Sequence, residues 1–449
     1  MKHIKLLPIA ALASSMIATT VLADTAAITA NNSASAPTNA APASVTTAAT
    51  PAAAAITNPA AAPAPINSAP IAATPVPINA SAATPAASPN SPPTLVPPAP
   101  SINAKGYVIM DGNSGAILAQ NNMDQRMEPA SLTKLMTVYA TFQAIKNGQI
   151  HLNDNVRISQ KAWQTGGSKM FVRVGTDVTV DQLLQGVIVD SGNDACVALA
   201  EYVGGTEDTF AQLMNQTAQR LGMNNTHYMD SNGLPNPDHY STPHDIAILA
   251  HAIYRDFPEY YHYFNEKWFT YNNIKQPNRN RLLWRDPSVD GMKTGHTDGA
   301  GYCLVSSAER NNMRLITVVM GAPTDGARAD DSQALLNYGF RFYKSYKLFD
   351  SGVALATPHV ESGQDSKTAL GLSAPLYVTI PVGEYNGLRA QIKLPKKIQA
   401  PLTQGQAVGS IVVTLNGNTV LETPLVALKA NATGNIFSRM MGHLTGMFH

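Results

Sequence analysis

The chain has 449 residues, 44% hydrophobic and only 14% charged, with 31 Lys and Arg set against 30 Asp and Glu. A formal charge of +1 gives no electrostatic reason to expect nucleic acid as a partner. Eleven His and two Cys include no H-E-x-x-H and no paired C-x-x-C, so neither a metal nor a cofactor is expected.

The chain opens on an address. Lys2 and Lys5 flank the start of an apolar run over residues 6–22, and small Ala23 precedes Asp24. A positive n-region, an h-region and a small residue at the cleavage point make residues 1–23 a signal peptide of an exported protein. Pro8 and the interspersed Ser and Thr leave the run too weakly apolar for a membrane span. Residues 24–100 then hold 16 of the 31 prolines and a single charge, Asp24. Such a stretch lacks the apolar bulk to offset the entropy of ordering a backbone, so residues 24–102 read as a semi-extended linker. The remaining length, about 350 residues, is ample for two domains with separate cores.

From residue 103 the texture becomes globular. Tyr107 to Met110 and Ala116 to Ala119 predict a hairpin around Asp111-Gly-Asn-Ser-Gly115. Pro129 introduces a helix that runs through Leu135, Met136 and Phe142 to a stop at Gly148, with Ser131 in its first turn. Thr179-Val-Asp-Gln182 has the form of a capping box opening another helix. Ser191 to Asn193 follow as a short polar link before an Ala-rich helix ending at Gly204-Gly205. His244 and His251 share a predicted helix and read as surface or core positions rather than ligands. Residues 289–294, 301–307 and 314–320 predict consecutive strands with Asn311-Asn312 at one turn, and Gly326-Ala-Arg328 precedes the last helix of the domain. The expected architecture is α/β (α+β), an antiparallel sheet flanked by helices over residues 103–346. Residues 349–428 predict a small β domain with an Asn416-Gly417 hairpin. Over residues 431–449, Ile436, Phe437, Met440, Met441, Leu444, Met447 and Phe448 recur at helical spacing with no acidic residue among them. That pattern suits a helix lying in a membrane surface.

Three short motifs carry the chemistry. Ser131-Leu-Thr-Lys134 is the chain's only S-x-x-K, Ser191-Gly-Asn193 follows it, and Lys293-Thr-Gly295 is the only K-T-G. Serine is a poor nucleophile at neutral pH and needs a base within hydrogen-bond reach. A Ser and a Lys three residues apart on a helix share a face, so the amine reaches the hydroxyl. The other motifs add a second hydroxyl, an amide and a second ammonium group. Cys196 and Cys303, which follow the second and third motifs, are expected as buried free thiols near the floor of the site.

The wording around the motifs narrows the family. Glu128-Pro-Ala-Ser-Leu-Thr-Lys-Leu-Met136, Asp190-Ser-Gly-Asn-Asp-Ala-Cys196 and Asp290-Gly-Met-Lys-Thr-Gly-His-Thr297 closely resemble the low-molecular-mass penicillin-binding D,D-carboxypeptidases. Asn278-Arg-Asn280, Leu282-Leu-Trp284, Gly301-Tyr302 and Arg314-Leu-Ile316 extend the likeness. It implies a penicillin-binding fold, removal of the terminal D-alanine from peptidoglycan stem peptides, and covalent trapping by β-lactams. Ser131 is then the nucleophile, Lys134 its base and Ser191 the relay to the departing D-alanine amine. Asn193 would hold the peptide, and Lys293, Thr294 and Gly295 would line the carboxylate side. The oxyanion hole would use the backbone N–H of Ser131 and His296, and Arg328 would stand near the carboxylate pocket. The resemblance also implies a β-domain stalk and a periplasmic enzyme held on the outer face of the cytoplasmic membrane. A D,D-endopeptidase or a β-lactamase on the same fold stands as the alternative, although the E-x-x-L-N pattern of class A β-lactamases is absent. A non-catalytic peptidoglycan-binding protein is the third.

Overall fold

The structure is a computed structural model that describes residues 4–5 and 96–434. The signal peptide apart from Ile4 and Lys5, most of the linker, and residues 435–449 of the terminal helix lie outside the described residues. Ile4 and Lys5 pair antiparallel with Ile392 and Gln391.

The larger domain is built on a five-stranded antiparallel sheet. Its strands are β1 (Gly106–Asp111), β2 (Ile117–Asn121), β3 (Val289–Thr297), β4 (Gly301–Arg310) and β5 (Met313–Ala322), in the order β2-β1-β5-β4-β3. Side chains alternate across a strand, and here both faces are covered. Val108, Met110, Ile316, Val318 and Met320 join one core, while Tyr107, Ile109, Leu315 and Val319 join another. All ten residues of the central β5 are buried. The expected β-hairpins are present, and Asn311 and Asn312 turn β4 into β5 at φ 51° and 63°. Paired positive φ at a two-residue turn matches the right-handed twist of the flanking strands, which is why Asn recurs there.

One face of the sheet is covered by α6 (Asp325–Phe342), and the other carries the helices that form the site. These are α1 (Lys134–Lys146), α2 (Val180–Ile188), α3 (Asn193–Gly204), α4 (Glu207–Leu221) and α5 (Pro243–Asp256). Each start has a local cause. Thr179 and Gln182 form the predicted capping box, and Thr206, Thr242 and Thr324 accept from the N3 amide of their helices. Helix α1 is buried on every side from Lys134 through Phe142, so it runs through the middle of the core. Residues expected in the linker belong to this body: Val96, Ala99 and Ile102 pack on the second core, and Tyr338 donates to Pro97 O at 2.8 Å.

The β domain begins where α6 stops, because Tyr343–Phe349 pairs with Leu376–Pro381 directly after Phe342. Leu370–Gly371, Asn418–Ala427, Ala407–Leu415 and Leu388–Lys393 form its main sheet in that order, around a third core that includes Val378, Ile380, Ile411 and Leu425. Ser114 and Thr379 hydroxyls meet at 2.7 Å and tie the β domain to the β1–β2 turn.

Candidate active site

Ser131 stands in a 3₁₀ turn, Ala130–Thr133, and α1 begins only at Lys134. The sequence placed Ser131 in the first turn of the α-helix; the tighter turn instead eclipses residues three apart and brings the lysine directly onto the serine. Ala130 sits at φ 47°, a left-handed conformation that costs a non-glycine residue about 1 kcal/mol and is held here by packing. Gly233 supplies part of that packing: a Cβ there would lie 1.9 Å from Ala130 O. Gly295 supplies the rest, since a Cβ on it would stand 3.0 Å from Pro129 O and 3.3 Å from Ser131 N. The absence of a side chain on Gly295 thus lets β3 lie against the turn that carries Ser131.

Lys134 is fully buried, and its Nζ lies 2.8 Å from Ser131 Oγ, 2.7 Å from Asn193 Oδ1 and 2.8 Å from Asn232 O. Burial drives its pKa below the ordinary lysine value, and the Arg279 cation pushes the same way, against Cys196, Asp230 and Asp194. Lys293 is buried too and held well below the ordinary value, first by desolvation and then by Lys134 and Arg279. Its Nζ donates to Thr294 O at 3.1 Å. Two lysines in one dry site, neither touching a carboxylate, cannot both remain charged at low cost.

Ser191 is buried with φ 58°, between the end of α2 and Gly192, the N-cap of α3. Asn193 opens α3 with both ends of its amide engaged: Oδ1 accepts from Lys134, and Nδ2 donates to Gly166 O at 2.7 Å. Its backbone N donates to Ser168 O at 2.7 Å. The peptide-holding amide implied by the resemblance is therefore committed to Lys134 and the 166–168 loop here. Asp194 fixes the same loop by accepting the amides of Met170, Phe171 and Val172 at 2.8–3.1 Å.

On β3, Thr294 is buried and His296 is exposed, its ring 4.0 Å from that of Tyr302. Arg328, in the first turn of α6 rather than before the helix, donates to Gly295 O at 3.0 Å and Cys303 O at 3.4 Å and pairs with Asp325. It braces the K-T-G strand from behind. Cys196 and Cys303 are free and buried, and burial pushes their thiols up to about 12 and about 11.

Three features escape the motif reading. Asn232 gives Lys134 its third partner through a carbonyl, from a turn in which Asp230 Oδ1 accepts the Asn232 and Gly233 amides. Asp230-Ser-Asn-Gly233 is legible as a turn, but no side chain advertises a backbone oxygen. Asp190 is buried beside Ser191 with Oδ1 unpartnered, and burial pushes its pKa to about 7. Glu128 accepts from Thr297 Oγ1 at 3.1 Å and so joins the segment before Ser131 to the end of β3. Among the described residues, no group of three or more His, Cys, Asp or Glu is arranged to hold a metal ion.

Known proteins share this fold and much of this sequence. The D-alanyl-D-alanine carboxypeptidase family, peptidase S11, matches residues 94–324, and the C-terminal domain of penicillin-binding protein 5 matches residues 343–432. D-alanyl-D-alanine carboxypeptidase DacC of Escherichia coli is 44% identical over 359 residues, 78% of this chain and 90% of that protein. Penicillin-binding protein 5 from Haemophilus influenzae superposes with a TM-score of 0.69 at 45% identity, covering 74% of this chain and 98% of that one. Penicillin-binding protein D2 from Listeria monocytogenes, solved with ampicillin bound, superposes at 0.51 with 28% identity over 54% of this chain and all of that one. The chain belongs to the peptidase S11 family of D-alanyl-D-alanine carboxypeptidases, with a penicillin-binding protein 5 type of C-terminal domain.

Proposed function

We propose that this protein is a serine-type carboxypeptidase that removes the terminal D-alanine of peptidoglycan pentapeptides through an acyl-enzyme, and that β-lactams acylate the same serine. The observation that carries the reading is Lys134 Nζ, fully buried and 2.8 Å from Ser131 Oγ. A neutral amine has two N–H donors and one lone pair. With the donors on Asn193 Oδ1 and Asn232 O, the lone pair is left for the Ser131 hydroxyl. Burial lowers its pKa and so favours the neutral amine that can act as a base.

In the forward step Ser131 gives its proton to Lys134, and Oγ attacks the carbonyl of the penultimate D-alanine. The backbone N–H groups of Ser131 and His296 receive the oxyanion, and losing one such donor costs about 3 kcal/mol of transition-state stabilisation. The C–N bond then breaks, and Ser191 passes the Lys134 proton to the departing D-alanine amine. Water attacks the resulting ester, its proton returning through the same network, and Ser131 is regenerated. Lys293 and Thr294 present an amine and a hydroxyl to the terminal carboxylate, Gly295 keeps β3 close enough for them to do so, and Arg328 holds that strand. Asn193 orients Lys134, and engages the peptide only on exchanging its bond to Gly166 O.

The test is D-alanine release from a pentapeptide muropeptide, beside Ser131→Ala and alongside labelling by a fluorescent penicillin. The reading predicts release and labelling for the native protein and neither for the variant. Labelling without release would redirect it to cross-linked dimers and an endopeptidase.

The same reading places the enzyme in the periplasm, with the amphipathic segment of residues 436–448 on the membrane surface. No helix among the described residues is long and apolar enough to cross a membrane.

A further inference from the structure

All three tryptophans of the chain are exposed: Trp163 by 43%, Trp268 by 50% and Trp284 by 44%. Tryptophan carries the largest apolar surface of any side chain and ordinarily buries most of it, so three outside, with Ile274 exposed in the same hairpin as Trp268, mark a contact surface. Trp268 and Trp284 meet edge to face with ring centroids 6.0 Å apart, and the Lys275 ammonium lies 4.8 Å from the Trp268 centroid.

This surface is tied by hydrogen bonds to the loop that holds Asn193. The hairpin of Trp268–Tyr271 and Ile274–Pro277 is hydrogen-bonded to the active-site loop, from Gln276 Nε2 to Lys169 O at 2.9 Å and from Asn272 Nδ2 to Phe171 O at 3.0 Å. Arg279, just beyond the hairpin, donates to Ser168 Oγ at 2.7 Å, and Ser168 O holds Asn193 N. Trp163 joins the same loop through its carbonyl, which accepts Lys169 Nζ at 2.8 Å. Lys169, Lys275 and Arg279 form no ion pair among the described residues, so the rim is both aromatic and cationic.

We propose that this rim binds the glycan strand from which the stem peptide hangs, with pyranose rings packed on Trp268 and Trp284 and carboxylates met by Lys275. An aromatic face suits the C–H face of a sugar ring, and the neighbouring ammonium suits the carboxylates of the stem peptides along such a strand. A lipid surface also favours Trp beside Lys. Here, however, the hairpin is hydrogen-bonded to the loop that holds Asn193, which favours a ligand carrying the stem peptide over a bilayer. The proposal rests on the carboxypeptidase reading and deepens it: the substrate is recognised as a glycan-borne peptide.

The test compares D-alanine release by the full chain and by the Trp268→Ala/Trp284→Ala double variant on two substrates, a sugar-free pentapeptide and the same pentapeptide on a glycan strand. The expected result is unchanged turnover of the free peptide and about tenfold lower kcat/KM on the glycan-linked one, carried by KM. Equal loss on both substrates, or no loss on the glycan-linked one, overturns the proposal. Intrinsic fluorescence of the Ser131→Ala protein, titrated with peptide-free glycan strands and with anionic phospholipid vesicles, gives a second reading. A saturable response to glycan supports the proposal, whereas silence to glycan or a response to vesicles alone overturns it. If the native protein releases no D-alanine from either substrate, the carboxypeptidase reading fails, and the fluorescence titration still decides the glycan site.

Discussion

Lys134 has three oxygen partners and no carboxylate in contact, and this combination sets its protonation. Arginine in its place keeps its charge at any working pH and offers no lone pair. Lys134→Arg should therefore lower the rate of penicillin acylation about a thousandfold or more, read from covalent labelling over time. Asp190 raises a separate question of stability. Its carboxyl is pushed up to about 7 by burial, above the unfolded value near 3.8, so the folded state binds the extra proton between those values. Stability from this group is present at low pH and is lost as pH rises towards and through 7. Asp190→Asn should thus be nearly neutral at pH 4 and stabilising at pH 8 by at most about 4 kcal/mol, read from thermal melts at both pH values. A melting difference independent of pH would contradict that account.

At the scale of elements, the site is a meeting of one 3₁₀ turn, one strand and two loops. The strand and the turn were legible, because S-x-x-K, S-x-N and K-T-G each name side chains. The loop of residues 230–233 was not: it acts through a backbone carbonyl and through space left empty by Gly233, which pattern reading does not see. Gly233 has φ +85° and no room for a Cβ against Ala130 O. Gly233→Ala should destabilise the protein by about 2–4 kcal/mol and slow acylation, because the turn carrying Ser131 must shift. Denaturant titration with a labelling assay checks both. Glu207 supports the same loop by accepting from Ser231 Oγ at 2.6 Å while pairing with Lys161. Glu207→Gln should cost about 1–3 kcal/mol, measured the same way.

For the whole molecule, local signals predicted the elements well. The capping box at Thr179, the Asn311-Asn312 and Asn416-Gly417 turns and the strands of the β domain all appear. The order of the main sheet was less accessible, since β1 lies between β2 and β5, and Met110 faces Ile316 across a long chain separation. Its pairing is decided by two-sided burial rather than by any local residue. The domain boundary likewise falls at Tyr343, where strand pairing begins, because helix and strand abut with no linker to mark it. Each domain keeps its own core, so membrane attachment and chemistry should separate cleanly. Deleting residues 435–449 should move the protein from the membrane to the soluble fraction and leave D-alanine release unchanged, as fractionation and assay of the same preparation would show.

The pH dependence of Ser131 acylation by a penicillin tests the central claim most directly. A neutral Lys134 as base predicts a rate that rises with pH through an inflection below the ordinary lysine value of about 10.4, and no such inflection in Lys134→Arg. A rate flat across that range, or an inflection retained by the arginine variant, would contradict it.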